Sequence, residues 1–174
     1  MELVLVSSCL LGSPVRYDGT HKRPSSNLLE LWVKEGRVVS VCPELAGGLT
    51  IPRNPAEITA GSGGDAVLAG LARVIDSKTA DITAAFTAGA RYALHQARVK
   101  NVRMAVLKEG SPSCGTRHTY DGTFSGTRVP RRGVTAAILE NAGIRVFSEE
   151  QLEEASEYLR ALDAGRAMHI SPGE

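Results

Sequence analysis

Short runs of apolar, largely β-branched residues punctuate the chain: ELVLVSS at 2–8, RVVSV at 37–41, VRMAVL at 102–107 and IRVF at 144–147. Runs this short, without polar alternation, predict strands buried on both faces, as in a parallel sheet. Between them the period changes. NLLELWVKEG at 27–36 places Leu28, Leu29, Leu31, Trp32 and Val33 before a stop at Gly36. From Asp81 as N-cap to Asn101, residues Ile82, Phe86, Ala90, Leu94 and Ala97 recur at helical spacing. VTAAILENAG predicts a helix stopped by Gly143, and SEEQLEEASEYLRAL one opened by a Ser148/Gln151 capping box. Residues 47–65 hold many Gly and Pro and read as loop, AVLAGLARVID at 66–76 as strand-like, and the loop after Leu107, reaching Gly126, as the place for a hairpin.

Strands alternating with helices imply crossover connections. The expected fold is therefore a single α/β domain over residues 1–164, a Rossmann-like, doubly wound, mainly parallel sheet with helices on both faces. Residues 165–174 are expected to form a loose C-terminal tail. The 174 residues suffice for a core without disulfide or metal staples. A formal net charge of +1 gives no strong signal for nucleic acid. No apolar run approaches the roughly 20 residues of a membrane span, and MELVLVSS lacks the features of a signal peptide, so no membrane partner and a cytoplasmic location are expected.

The cysteines change the picture. Cys9, Cys42 and Cys114 each follow a different predicted strand at its carboxyl end, where ligands of open α/β sheets bind. One isolated cysteine is more often a small core residue. Three leaving strands on one edge, in loops of Gly, Pro and Ser, favour a shared soft-metal site, either zinc or an iron-sulfur cluster. His118 is a candidate fourth ligand, although a solvated loop histidine is the commoner case. In CPEL, Pro43 stiffens the link from Cys42 to Glu44, whose carboxylate is suited to take a proton from water. Ser111 and Ser113, around Pro112, are candidates for orienting substrate or shuttling a proton, with turn formation as the plainer reading. The echo VRYDG at 15–19 and HTYDG at 118–122 predicts two tight turns, and offers Tyr17 and Tyr120 as aromatic walls for a planar ring. GSGGD at 61–65 lacks the residues of a phosphate-gripping loop. Basic residues at 21–23, 53, 117 and 131–132 read as solvated charges or as receivers of an anion such as a nucleotide phosphate.

Taken in order, SSCLLGSPVRYDG, VCPELAGGLTIPRNPAEI, DITAAFTAGA, LKEGSPSCG and YDGTFSG resemble the landmarks of the thiouracil desulfurase family, small bacterial and archaeal proteins formerly grouped as a domain of unknown function. The resemblance covers most of residues 3–147 and departs from the pattern between Gly61 and Ala80. It implies a [4Fe-4S] cluster carried by Cys9, Cys42 and Cys114, with an open iron for the sulfur of a thiolated pyrimidine, whether base, nucleoside or nucleotide. It further implies Glu44 as catalytic acid/base and Ser111 as a second active-site residue, with Ser113 the alternative within the segment. The implied reaction replaces C=S by C=O without net electron transfer. Competing readings are a three-cysteine zinc hydrolase and a non-enzymatic iron-sulfur or sulfur carrier. The sequence does not bear on oligomeric state.

Overall fold

The computed structural model describes residues 1–169, arranged as β1 (Val4–Ser7), α1 (Leu28–Lys34), β2 (Val38–Val41), α2 (Pro43–Ala46), β3 (Ala56–Ile58), α3 (Gly63–Leu68), β4 (Val74–Asp76), α4 (Thr83–Val99), β5 (Met104–Leu107), β6 (Thr119–Tyr120), β7 (Arg128–Val129), α5 (Val134–Asn141), β8 (Arg145–Ser148) and α6 (Leu152–His169). The four apolar runs become β1, β2, β5 and β8. They pair in parallel in the order β2-β1-β5-β8.

Every residue of the central strands β1 and β5 is buried, which is why their sequences do not alternate. Successive side chains still go to opposite faces. Leu5, Ala105 and Leu107 pack with Ala93 and Ala97 of α4 and Ala136 and Leu139 of α5. Val4, Val6, Met104 and Val106 pack on the other face with Leu29 and Trp32 of α1 and Leu152, Ala155 and Leu159 of α6. Helices thus cover both faces, as expected. Each fully buried Val or Leu here contributes about 1.5–3 kcal/mol relative to an exposed one.

Some local expectations shift. Helix α4 begins at Thr83, one residue after its cap position Ile82. Asp81 caps less directly: its carboxylate accepts from the Thr83 N–H at 3.0 Å and the Thr83 hydroxyl at 2.6 Å. The stretch 66–76 is not one strand. Its first residues complete α3, Gly70 turns the chain at φ +76°, and only Val74–Asp76 forms a strand, antiparallel to β3. The region read as loop therefore holds β3 and the start of α3. The hairpin after β5 is present as β6 and β7. The Ser148/Gln151 capping box is present too, opening a 3₁₀ turn that leads into α6. The tail expected from Gly165 is helical to His169; residues 170–174 lie outside the described residues.

Candidate active site

Each cysteine is delivered by a strand end. Cys9 lies in a 3₁₀ turn, Ser8–Leu11, directly after β1. Cys42 follows β2 in extended conformation and Pro43 starts α2, where its fixed φ suits a first helical position. Cys114 lies in the loop between β5 and β6. All three are free thiols on the wall of one cavity of about 560 Å³, within the usual range for ligand pockets. Glu44, Ser111, Tyr17, Tyr120 and His118 share that wall.

Burial pushes the Cys9 thiol up to about 11, with the neighbouring Cys42 adding to the effect and Lys108 and Arg16 opposing it. Burial also raises Cys42, and raises Cys114 further still. The Ser7 hydroxyl donates to Cys114 Sγ at 3.5 Å, a weak offset. Burial thus favours the neutral thiol form of all three. Among the described residues, no three His, Cys, Asp or Glu side chains are gathered tightly enough to hold a single ion.

Glu44 is held by Arg53. The guanidinium Nε and Nη2 both meet Glu44 Oε2, at 2.7 and 2.6 Å, and Nη2 also donates to the Val15 carbonyl at 3.0 Å. That carbonyl lies 4.0 Å from Cys42 Sγ. One buried cation thus ties the CPEL turn to the loop after Cys9. The CPEL turn is also seated on α4 by a pair of glycines. A Cβ at Gly47 would fall 2.0 Å from the Ala85 carbonyl oxygen, and one at Gly89 would fall 1.9 Å from the Pro43 carbonyl oxygen. Only bare glycines allow that approach.

Ser111 and Ser113 part company. Ser111 Oγ accepts from the backbone N–H groups of Ser113 at 3.0 Å and Cys114 at 3.1 Å, which builds the turn that presents Cys114. Its own O–H is left as a donor on the cavity wall. Ser113 is 1% exposed; its hydroxyl pairs with Thr135 Oγ1 at 2.8 Å in α5, and it is absent from the cavity lining.

The two echo segments make the same turn. Asp18 accepts from Thr20 N–H and hydroxyl at 3.0 and 2.6 Å, and Asp121 does so from Thr123 at 2.9 and 2.6 Å. Their tyrosines, far apart in sequence, both reach the cavity. His118 stands edge-on to Tyr120, with Nδ1 3.6 Å from Glu109 Oε1. Most of the basic residues marked in the sequence are committed to carboxylates: Arg23 to Glu30, Arg117 to Glu150, Arg132 to Asp65 and Glu140. The glycine-rich GSGGD segment packs its Gly64 against the Gly133 backbone rather than cradling a ligand.

Glu109 is the residue that sequence reasoning missed. Its side chain is buried and accepts from the N–H groups of Gly110, Thr116, Arg117 and His118 and from the Thr116 hydroxyl. Burial opposes its ionisation, but these hydrogen bonds outweigh it and hold the carboxyl below its usual range. It wraps the Cys114 loop around one anion. Its only trace in the sequence was an acid beside small residues in LKEGSPSCG.

The strand ends of a doubly wound α/β domain thus deliver three thiols and a clamped carboxylate to one cavity, where ligands of such folds bind and where the sulfurs are of the kind that suits a soft metal. Residues 4–151 match the model of the 2-thiouracil desulfurase family, and the chain belongs to that family. The uncharacterized protein YbbK of Bacillus subtilis (strain 168) is 45% identical over 152 residues, covering 87% of this chain and 99% of that protein. The solved structure of the [4Fe-4S]-dependent thiouracil desulfidase TudS (DUF523Vcz) superposes with a TM-score of 0.84 at 44% identity, over 92% of this chain and 99% of its own. No helix among the described residues is long and apolar enough to cross a membrane.

Proposed function

We propose that this protein is a [4Fe-4S]-dependent desulfurase that converts a thiolated pyrimidine to its oxo counterpart, with Cys9, Cys42 and Cys114 as the cluster ligands. The observation that carries the reading is the convergence of those thiols, from three strand ends, on a cavity that also holds Glu44. The donor set fits the cluster: three free thiols, soft sulfur ligands, line one cavity. Held by these three cysteines, the cluster would supply a soft Lewis acid for the substrate's sulfur.

The chain's own residues do the rest. Arg53 occupies Glu44 Oε2 and leaves Oε1 to take a proton from water as its oxygen attacks the thiocarbonyl carbon. The C–S bond breaks with its electron pair on sulfur, which leaves as hydrosulfide, so water is consumed and no electron acceptor is needed. Ser111 donates its remaining O–H to charge developing on the substrate. Tyr17 and Tyr120 flank the flat ring, and Ser113 supports the turn from behind.

Anaerobically reconstituted protein is offered 2-thiouracil, 4-thiouracil and the corresponding nucleoside and nucleotide, with the oxo product and released sulfide measured together. Equimolar product and sulfide from one of them is the expected result. A loaded protein that consumes none is a carrier instead. Bound zinc without acid-labile sulfide, in a protein that resists cluster reconstitution, points to the hydrolase reading.

A further inference from the structure

Among the described cations that line the cavity, Arg16 carries a buried donor without a hydrogen-bond partner, whereas Lys22 and Arg128 are exposed to water. Arg53 is taken by Glu44, and Lys108 by Glu149 and the Glu109 carbonyl. Arg16 lines the cavity, yet its Nη1 is buried and has no hydrogen-bond partner. A guanidinium nitrogen removed from water and left unsatisfied carries its full desolvation cost, which natural sites accept where a ligand supplies the acceptor.

The loop bearing Arg16 is closed onto the thiols at both sides. Lys22 N–H donates to the Cys9 carbonyl at 2.9 Å, and the Val15 carbonyl lies 4.0 Å from Cys42 Sγ. Within the loop, Arg16 N–H donates to Thr20 O at 3.1 Å and Gly19 N–H to Arg16 O at 2.9 Å, so its backbone is fixed. The guanidinium carbon lies 5.6 Å from the Tyr17 ring centroid. The loop's own carboxylate, Asp18, is turned to Thr20 and exposed to solvent.

Resting on the cluster reading above, we propose that Arg16 is the counter-charge of the site, its Nη1 donating a hydrogen bond to an anionic sulfur of the cluster assembly on the Cys9 and Cys42 side. Three thiolates around a [4Fe-4S] core leave net negative charge in a half-buried cavity, and hydrogen bonds and charge at the sulfurs set how readily such a centre accepts more. The same donor stabilises the site when the substrate's sulfur departs carrying its electron pair.

The test is an anaerobic redox titration of reconstituted wild type, Arg16→Gln, Arg16→Lys and Arg23→Gln, with iron and sulfide content and thermal midpoints measured in parallel. Arg23 carries the same charge on the same loop but is exposed and paired with Glu30. The expected result is a shift of Arg16→Gln to a more negative potential with cluster content retained, a smaller shift for Arg16→Lys, and none for Arg23→Gln. An unchanged potential in Arg16→Gln, or an equal shift in Arg23→Gln, overturns the proposal. Loss of cluster and of thermal stability in both Arg16 variants also overturns it, as a purely structural role. Wild type that takes up no cluster fails the proposed function itself, a separate outcome from a loaded wild type with an indifferent Arg16.

Discussion

The two ends of the parallel sheet treat charge in opposite ways. At the amino ends of the strands, wholly buried Glu2 receives Arg103 Nε at 3.1 Å and Nη2 at 2.7 Å. Asp163 of α6 accepts from the Glu2 N–H at 2.7 Å and from Arg37 Nη1 at 2.9 Å. Charges there close on one another. At the carboxyl ends, three thiols share a cavity, Arg16 keeps an open donor, and Glu44 is clamped through one oxygen only. A closed polar network stabilises a fold; an incomplete one holds binding capacity in reserve. The same strands serve both purposes because their central residues are apolar and keep the two ends apart.

Substitutions sharpen that contrast. The largest effect is expected from Cys9→Ser, Cys42→Ser or Cys114→Ser, each of which should abolish cluster uptake, read as loss of iron, sulfide and visible absorption, while circular dichroism stays native. Glu44→Gln should keep the cluster and lower turnover by about 10²–10⁴-fold, the usual weight of a general base. Undiminished turnover would remove Glu44 from its role. At the opposite end the signs reverse. Arg103→Ala removes two hydrogen bonds to the buried Glu2 carboxylate and should cost about 1.5–3 kcal/mol in denaturant unfolding, leaving turnover per folded molecule unchanged. Gly89→Ala connects the two ends of the comparison. The added methyl meets the Pro43 carbonyl, and overpacking of about 1–3 kcal/mol should accompany a loss of turnover, because the displaced turn carries Cys42 and Glu44.

The smallest effect concerns pH. Burial opposes ionisation of Asp163, but hydrogen bonds and charge from Arg37 win and hold its carboxyl below the usual range. Glu109 is likewise lowered. Carboxyls with depressed folded values contribute stability that is fully present above their unfolded values, near pH 4, and is lost as pH falls through the folded ones. Asp163→Asn should therefore flatten the acid arm of the stability curve. An equally steep arm would show that other groups set it.

The sheet was legible because a strand buried on both faces leaves an unbroken apolar run, and the cysteines were legible because each follows such a run. Glu44 could be read from its distance to Cys42. Ser111 and Ser113 could not be separated by sequence, since their difference is the direction of a side chain: one hydroxyl caps the Cys114 turn and the other faces Thr135 in α5. Arg53 looked like any loop cation because its partner Glu44 is brought back to it by the turn between them. Glu109 was hidden for a related reason, since five donors converge on it from a loop whose path no local pattern specifies. The stretch 66–76 misled because a helix end and a short strand lie on either side of Gly70, and their apolar residues run together.

Gly47 and Gly89 join a turn of the site and a long helix into one mechanical piece. Because the CPEL turn is locked to α4 with no room for a methyl group, Cys42 and Glu44 keep their places only as long as that helix keeps its own. The two Tyr-Asp-Gly-Thr loops, by contrast, carry aromatic walls on self-contained turns, so a change in them need not move the turn that holds Cys42 and Glu44.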